Sequence, residues 1–197
     1  MKKGPGARHL PGKKVPPVNP EKKIRFFGLP GIILIILLGL TIYSNSFDCS
    51  FHFDDEPHIV YNQAIRNLAD VQAWWSNSPH RPVSIFTFAL TYHFFGLDLF
   101  YWHLGNILIH LINAMLVWWL TFLIFSSPAL KGRPIAKDQK IPAFIVALLF
   151  VSHPLATQSV TYLIQRMTSL AAMFYLLSLA LYLKARLTEK GLPLKIL

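Results

Sequence analysis

The chain has 197 residues, 53% of them hydrophobic and 14% charged, with a formal net charge of +10. Soluble domains carry about 25% charged residues, so the composition excludes an ordinary soluble protein. The basicity does not indicate nucleic acid: eight basic residues precede residue 28, four lie between 131 and 140 and four follow 183, with Arg66, Arg81 and Arg166 elsewhere. That distribution is positive-inside membrane topology.

The apolar residues fall in blocks comparable with the ~20 residues a helix needs to cross the hydrocarbon core. Lipid forces such blocks to be helical, so the expected fold class is all-α, a polytopic membrane bundle of four crossings. Residues 1–27, rich in Gly, Pro and Lys, read as a disordered cytoplasmic tail. The first crossing spans 29–45 and has no cleavage site after it, the pattern of an uncleaved signal anchor. An outer loop over 46–99 follows, with Asp48, Asp54, Asp55, Glu56 and Asp70 against Arg66. Within it, 65–75 reads as an interfacial helix ending in Trp74 and Trp75. A second helix over 81–95 places Ser84, Thr87 and Thr91 on one face.

The second crossing covers 100–125, and a basic cytoplasmic loop follows to 141. A third apolar run, 141–152, stops at His153-Pro154, where proline disfavours helical geometry in the residue before it. A short outer helix is expected over 158–166 and the fourth crossing over 167–183, within a membrane region of 28–186. Residues 187–197 form a cytoplasmic end where a further helix is expected, the pattern of a truncated or amino-terminal piece. The location is a cell inner membrane, amino terminus cytoplasmic. The single Cys49 excludes an intramolecular disulfide.

Chemistry concentrates in three places. Asp54, Asp55 and Glu56 are adjacent carboxylates, which raise one another's pKa and suit general-base or metal-binding work; a solvated acidic loop is the bland counterpart. His103, Asn106, His110 and Asn113 recur at spacings of three, four and three along the second crossing. Such a stripe is costly against lipid and faces other helices or a wet cavity. The third group is His153, Gln158 and Arg166. Arg166, like Arg81, needs an anion: either a lipid-linked phosphate or a salt bridge to Asp54, Asp55 or Glu56. With the amino terminus inside, the acidic run, His103 and the His153 to Arg166 segment all share the outer face.

Phe53-Asp54-Asp55, Arg81-Pro82-Val83, Tyr101-Trp102-His103-Leu104 with Asn106 and His110, and His153-Pro154 to Gln165-Arg166 occur in an order that resembles one group of membrane glycosyltransferases. These are the GT-C type enzymes related to protein O-mannosyltransferases, including the transmembrane and tetratricopeptide-repeat proteins. The resemblance covers 47–186 and implies a polyprenyl-phosphate sugar donor, a protein or glycan acceptor and a periplasmic or luminal active site. It makes Asp54 or Asp55 the catalytic carboxylate and Arg166 or Arg81 the group that holds the donor phosphate. His103, His153 and Gln158 complete the expected substrate-binding set. Gln158 stands where many relatives carry an acid, and a divalent metal is left open. The competing expectation is a non-enzymatic membrane subunit or transporter module that uses the His/Asn stripe for helix packing.

Overall fold

A computed structural model describes residues 28–130 and 132–188. The expected tail, 1–27, and the end beyond 188 lie outside the described residues. The described chain is all-helical, with no strand among the described residues. Its helices are α1 (Leu29–Ile42), α2 (Val71–Asn77), α3 (Pro82–Phe95), α4 (Leu99–Phe125), α5 (Lys140–Val151), α6 (Ala156–Thr161) and α7 (Arg166–Leu187).

Helix α4 is the axis of the molecule and packs against α1, α3, α5, α6 and α7. At 27 residues it is ~40 Å long at 1.5 Å per residue. It and the continuous stretch Leu163–Leu187 are long and apolar enough to cross a membrane. Helices α1 and α5, of 14 and 12 residues, reach only ~21 and ~18 Å. The outward surfaces are apolar: Leu108 and Ile112 on α4, and Phe174, Tyr175, Leu181 and Tyr182 on α7, are exposed.

Two cores flank α4. Ile35, Tyr43, Ile107, Leu111, Ala147 and Val151 join α1, α4 and α5. Ile59, Ile65, Ile85, Phe88, Trp102, Leu163 and Met167 join the outer loop, α3, α4 and the start of α7. Phe88 and Trp102 meet at 5.6 Å with tilted rings, a favourable aromatic geometry.

The helix breaks follow local chemistry. Helix α2 begins at Val71 rather than 65 because Asp70 Oδ1 accepts the Ala73 N–H at 2.9 Å, the bond of an N-cap. Before it, Gln63–Ile65 makes a separate 3-10 turn. Helix α5 ends before His153-Pro154 as expected, leaving the Val151 carbonyl without a helical partner. That carbonyl accepts the Tyr43 hydroxyl at 3.2 Å and His110 Nε2 at 3.4 Å. The outer helix expected over 158–166 divides into α6 and a 3-10 turn, Leu163–Gln165, before α7.

Candidate active site

The acidic loop between α1 and α2 supplies two carboxylates with different surroundings. Phe53, immediately before them, is 83% exposed with φ of 49°, a left-handed conformation that is uncommon outside glycine. The turn after it folds Asp55 inward and leaves Asp54 exposed. Asp55 is fully buried: Oδ1 accepts the Ile164 N–H at 2.7 Å and Oδ2 accepts the His52 N–H at 3.3 Å. The His52 ring lies 3.8 Å from Oδ2. Burial pushes the Asp55 carboxyl above its ordinary range, while the Ile164 and His52 amides and the His52 ring partly oppose the shift.

Tyr162 closes the loop from the other side. Its hydroxyl accepts the Asp54 N–H at 3.0 Å, and its ring stacks on His52 with centroids 4.8 Å apart. Desolvation, together with the nearby Asp54 and Asp55 carboxylates, holds the Tyr162 hydroxyl above its usual pKa. Beside this pair opens a cleft of ≈ 500 Å³, with Phe53, Leu155, Thr157, Gln158 and Thr161 among its other walls. Its lining mixes apolar faces with hydroxyl and carboxamide groups, which suits a hydroxyl-rich ligand. A second cleft, of ≈ 440 Å³, lies between the start of α3 and the start of α7. His80, Arg81 and Thr168 give it polar edges, while Met167, Leu170 and Phe174 give it an apolar floor.

The expected site residues therefore separate. Gln158 lines the first cleft. Asp54 is not among its walls but joins two of them, following Phe53 and donating its N–H to Tyr162. Arg81, exposed and 3.5 Å from Met167 Sδ, lines the second. His153 is exposed and its Nδ1 accepts the Leu155 N–H at 3.3 Å, forming the turn into α6. His103 is fully buried and its Nε2 donates to the Cys49 carbonyl at 3.0 Å. Arg166 is 1% exposed and lines neither cleft. The salt bridge considered for Arg166 with Asp54, Asp55 or Glu56 is not formed. Its donors instead reach neutral oxygens: Asn106 Oδ1 at 2.8 Å, the Thr87 carbonyl at 3.3 Å, Thr91 Oγ1 at 2.9 Å and the Trp102 carbonyl at 2.9 Å.

The remaining stripe residues also bind main-chain carbonyls, Asn106 near Leu163 at 3.3 Å and Asn113 at Ser169 at 3.0 Å. Among the described residues, no group of three or more His, Cys, Asp and Glu side chains is arranged to hold a metal ion. His52 and Thr161 carried no motif in the sequence, since their placement depends on a contact between segments more than a hundred positions apart. Tyr162 was marked only as part of its segment.

Comparison with known proteins identifies relatives of this chain. Protein O-mannosyl-transferase tmtc2 of Xenopus laevis is 30% identical over 165 residues, covering 77% of this chain and 18% of the relative. Protein O-mannosyl-transferase TMTC3 of Mus musculus is 26% identical over 179 residues, covering 84% of this chain and 18% of the relative. Protein O-mannosyl-transferase TMTC4 of Homo sapiens is 31% identical over 164 residues, covering 75% of this chain and 22% of the relative. The chain thus spans about a fifth of the length of these curated relatives. No protein-family model matches it. No solved structure matches it.

Proposed function

We propose, from its 30–31% identity to protein O-mannosyl-transferases over about three quarters of its length, that this chain supplies the acidic-loop part of a glycosyltransferase active site. The donor is a polyprenyl-phosphate sugar, and the acceptor is a hydroxyl on a protein or glycan. In this reading α1, α4, α5 and α7 cross the membrane, with the acidic loop and both clefts on the periplasmic or luminal side. The arrangement is that of a partial GT-C fold.

The observation that carries the reading is the division of labour between neighbouring carboxylates. Asp55 is enclosed and holds the loop to the Leu163–Gln165 turn, while Asp54 is exposed and tied through its N–H to Tyr162, which with Phe53 walls the cleft. An exposed carboxylate fixed through its backbone is suited to take a proton from an acceptor hydroxyl. The acceptor oxygen then bonds to the anomeric carbon as the bond to the carrier phosphate breaks, inverting that centre. The proton rests on Asp54, and the departing polyprenyl phosphate keeps the electron pair. Arg81, at the polar edge of an apolar-floored cleft, is the cation placed to balance that phosphate.

The test is sugar transfer from a polyprenyl-phosphate mannose to a hydroxyl acceptor, measured in membranes carrying the chain within its full reading frame. Asp54→Asn is expected to lower transfer by about 10²-fold or more, with Arg81→Gln raising KM for the donor. Retention of transfer by Asp54→Asn would sink the base assignment. Absence of transfer by the unaltered protein, with any polyprenyl-phosphate sugar, would favour the non-enzymatic subunit, in which the α4 stripe serves packing alone.

A further inference from the structure

The polar stripe of α4 divides into two halves. His110 and Asn113 bind carbonyls of α5 and α7 in the bundle. His103 and Asn106 instead face the outer segments. His103 holds the Cys49 carbonyl, where the acidic loop begins. Asn106 Nδ2 lies 3.3, 3.4 and 3.3 Å from the carbonyls of Val160, Tyr162 and Leu163. Val160 lies in the last turn of α6, and Tyr162 and Leu163 open the turn after it, which carries the Tyr162 hydroxyl and the Ile164 N–H, the two groups that bind Asp54 and Asp55.

A carboxamide can face three carbonyls only with its NH₂ group; reversed, its oxygen would oppose them. Arg166 Nε, donating to Asn106 Oδ1 at 2.8 Å, fixes that orientation. The guanidinium is itself held by α3 and α4, through Thr87, Thr91 and Trp102, and lies beside the paired Phe88 and Trp102 rings at 5.1 Å from each centroid. Gly105 makes the room: a Cβ there would stand 2.8 Å from Arg166 Nη2. With these donors committed and the side chain enclosed, Arg166 has no bidentate edge to offer a phosphate.

We propose that Asn106 and Arg166 form a positioning device for the acidic loop, Arg166 acting through Asn106 on the turn that presents Tyr162 and the Ile164 N–H. It rests on the assignment of Asp54 as proton acceptor, and it assigns Arg166 a positioning role in place of a hold on the donor phosphate. Lysine preserves the charge but has no planar fork to span Asn106, Thr91 and Trp102. A positioning role and an anion-binding role therefore diverge in the Arg166→Lys variant.

The experiment combines amide hydrogen exchange with transfer kinetics on the full protein in detergent micelles, using Arg166→Lys, Asn106→Leu and Tyr162→Phe. The first two are expected to speed exchange at the Ile164 and Asp54 amides by roughly tenfold, leaving α5 exchange unchanged. In both, kcat falls while KM for polyprenyl-phosphate mannose holds. Tyr162→Phe, which removes one hydroxyl and leaves the buried network intact, speeds exchange at Asp54 alone and lowers kcat, so the last link is tested even where the buried variants fold poorly. Unchanged exchange with a raised donor KM in Asn106→Leu, or full kcat in Arg166→Lys, overturns the proposal. If the unaltered protein transfers no sugar, the exchange measurements still decide whether the device exists, and it is the glycosyltransferase reading that fails.

Discussion

Asp54 and Asp55 are adjacent in the chain, yet one faces solvent and the other has no exposed surface. The sign of the Asp55 shift has a measurable consequence. Its carboxyl titrates above its ordinary value in the folded protein, chiefly because burial disfavours the charge. A group with a raised folded pKa contributes stability that is present below its unfolded pKa, ~3.9 for Asp, and lost as pH rises through the folded value. Asp55→Asn resembles the protonated form and carries no such dependence. Thermal unfolding in detergent micelles, followed from about pH 4 to pH 7, should show the variant gaining on the unaltered protein as pH rises. A constant difference across that range would mean that Asp55 is not desolvated as described. At this scale the sequence marks which residues can carry chemistry but not their partners. Arg166 illustrates the limit: charge complementarity points to the acidic run, whereas the fold surrounds the guanidinium with a carboxamide, a hydroxyl and two carbonyls. Asn106 and Thr91 stand out in the sequence as members of polar stripes, but their spacing does not say that they face Arg166, and the two carbonyls leave no mark at all.

Elements were more legible, because helices are set by local apolar runs and their ends by caps and prolines. Helix α4 begins one residue before its expected start and α5 stops at Val151, just before His153-Pro154. The α2 start was displaced by a side-chain cap at Asp70, whose energy of about 1 kcal/mol exceeds the weak periodicity ahead of it. The contact of α1 with α4 and α5 was not legible, since a glycine in an Ile/Leu-rich helix does not announce what approaches it. A Cβ at Gly39 would stand 2.6 Å from Leu111 Cδ2 and 3.1 Å from Val151 Cγ2. Both neighbours are buried, so neither has open space to enter. Gly39→Ala should therefore destabilise the protein by about 1–3 kcal/mol, read as a lower melting temperature in micelles. Shortening the neighbour in a Gly39→Ala/Leu111→Ala pair should recover part of that loss relative to the sum of the single changes. Strict additivity would show that α1 does not pack on α4 at this point.

For the whole molecule, the proposed function requires one orientation, and the charge distribution is what argues for it. Arg133 and Lys137 precede α5, Lys140 opens it, and Lys184 and Arg186 close α7; under the positive-inside rule the proposed reading puts those ends on the cytoplasmic side. In that reading α4 and α7 carry their opposite ends outward, where His103 holds the loop that follows α1 and Arg166 holds Asn106. The short α1 and α5 fit this frame only if the outer segments fill part of the membrane's outer half. Those segments pack against the helix ends: Phe47 stacks on Phe100 at 4.7 Å, and Tyr43 ties the loop start to the end of α5. Cys49 reports on the orientation because it is the chain's single cysteine and remains partly exposed. A membrane-impermeant thiol reagent added to sealed right-side-out vesicles should label it, and labelling should disappear in Cys49→Ser. Inverted vesicles should protect it until detergent is added. Labelling only in inverted vesicles would place the acidic loop, both clefts and Asp54 on the cytoplasmic side. A lipid-linked donor presented from the outer face could then not reach the proposed base, so the glycosyltransferase reading would fall with the topology that supports it.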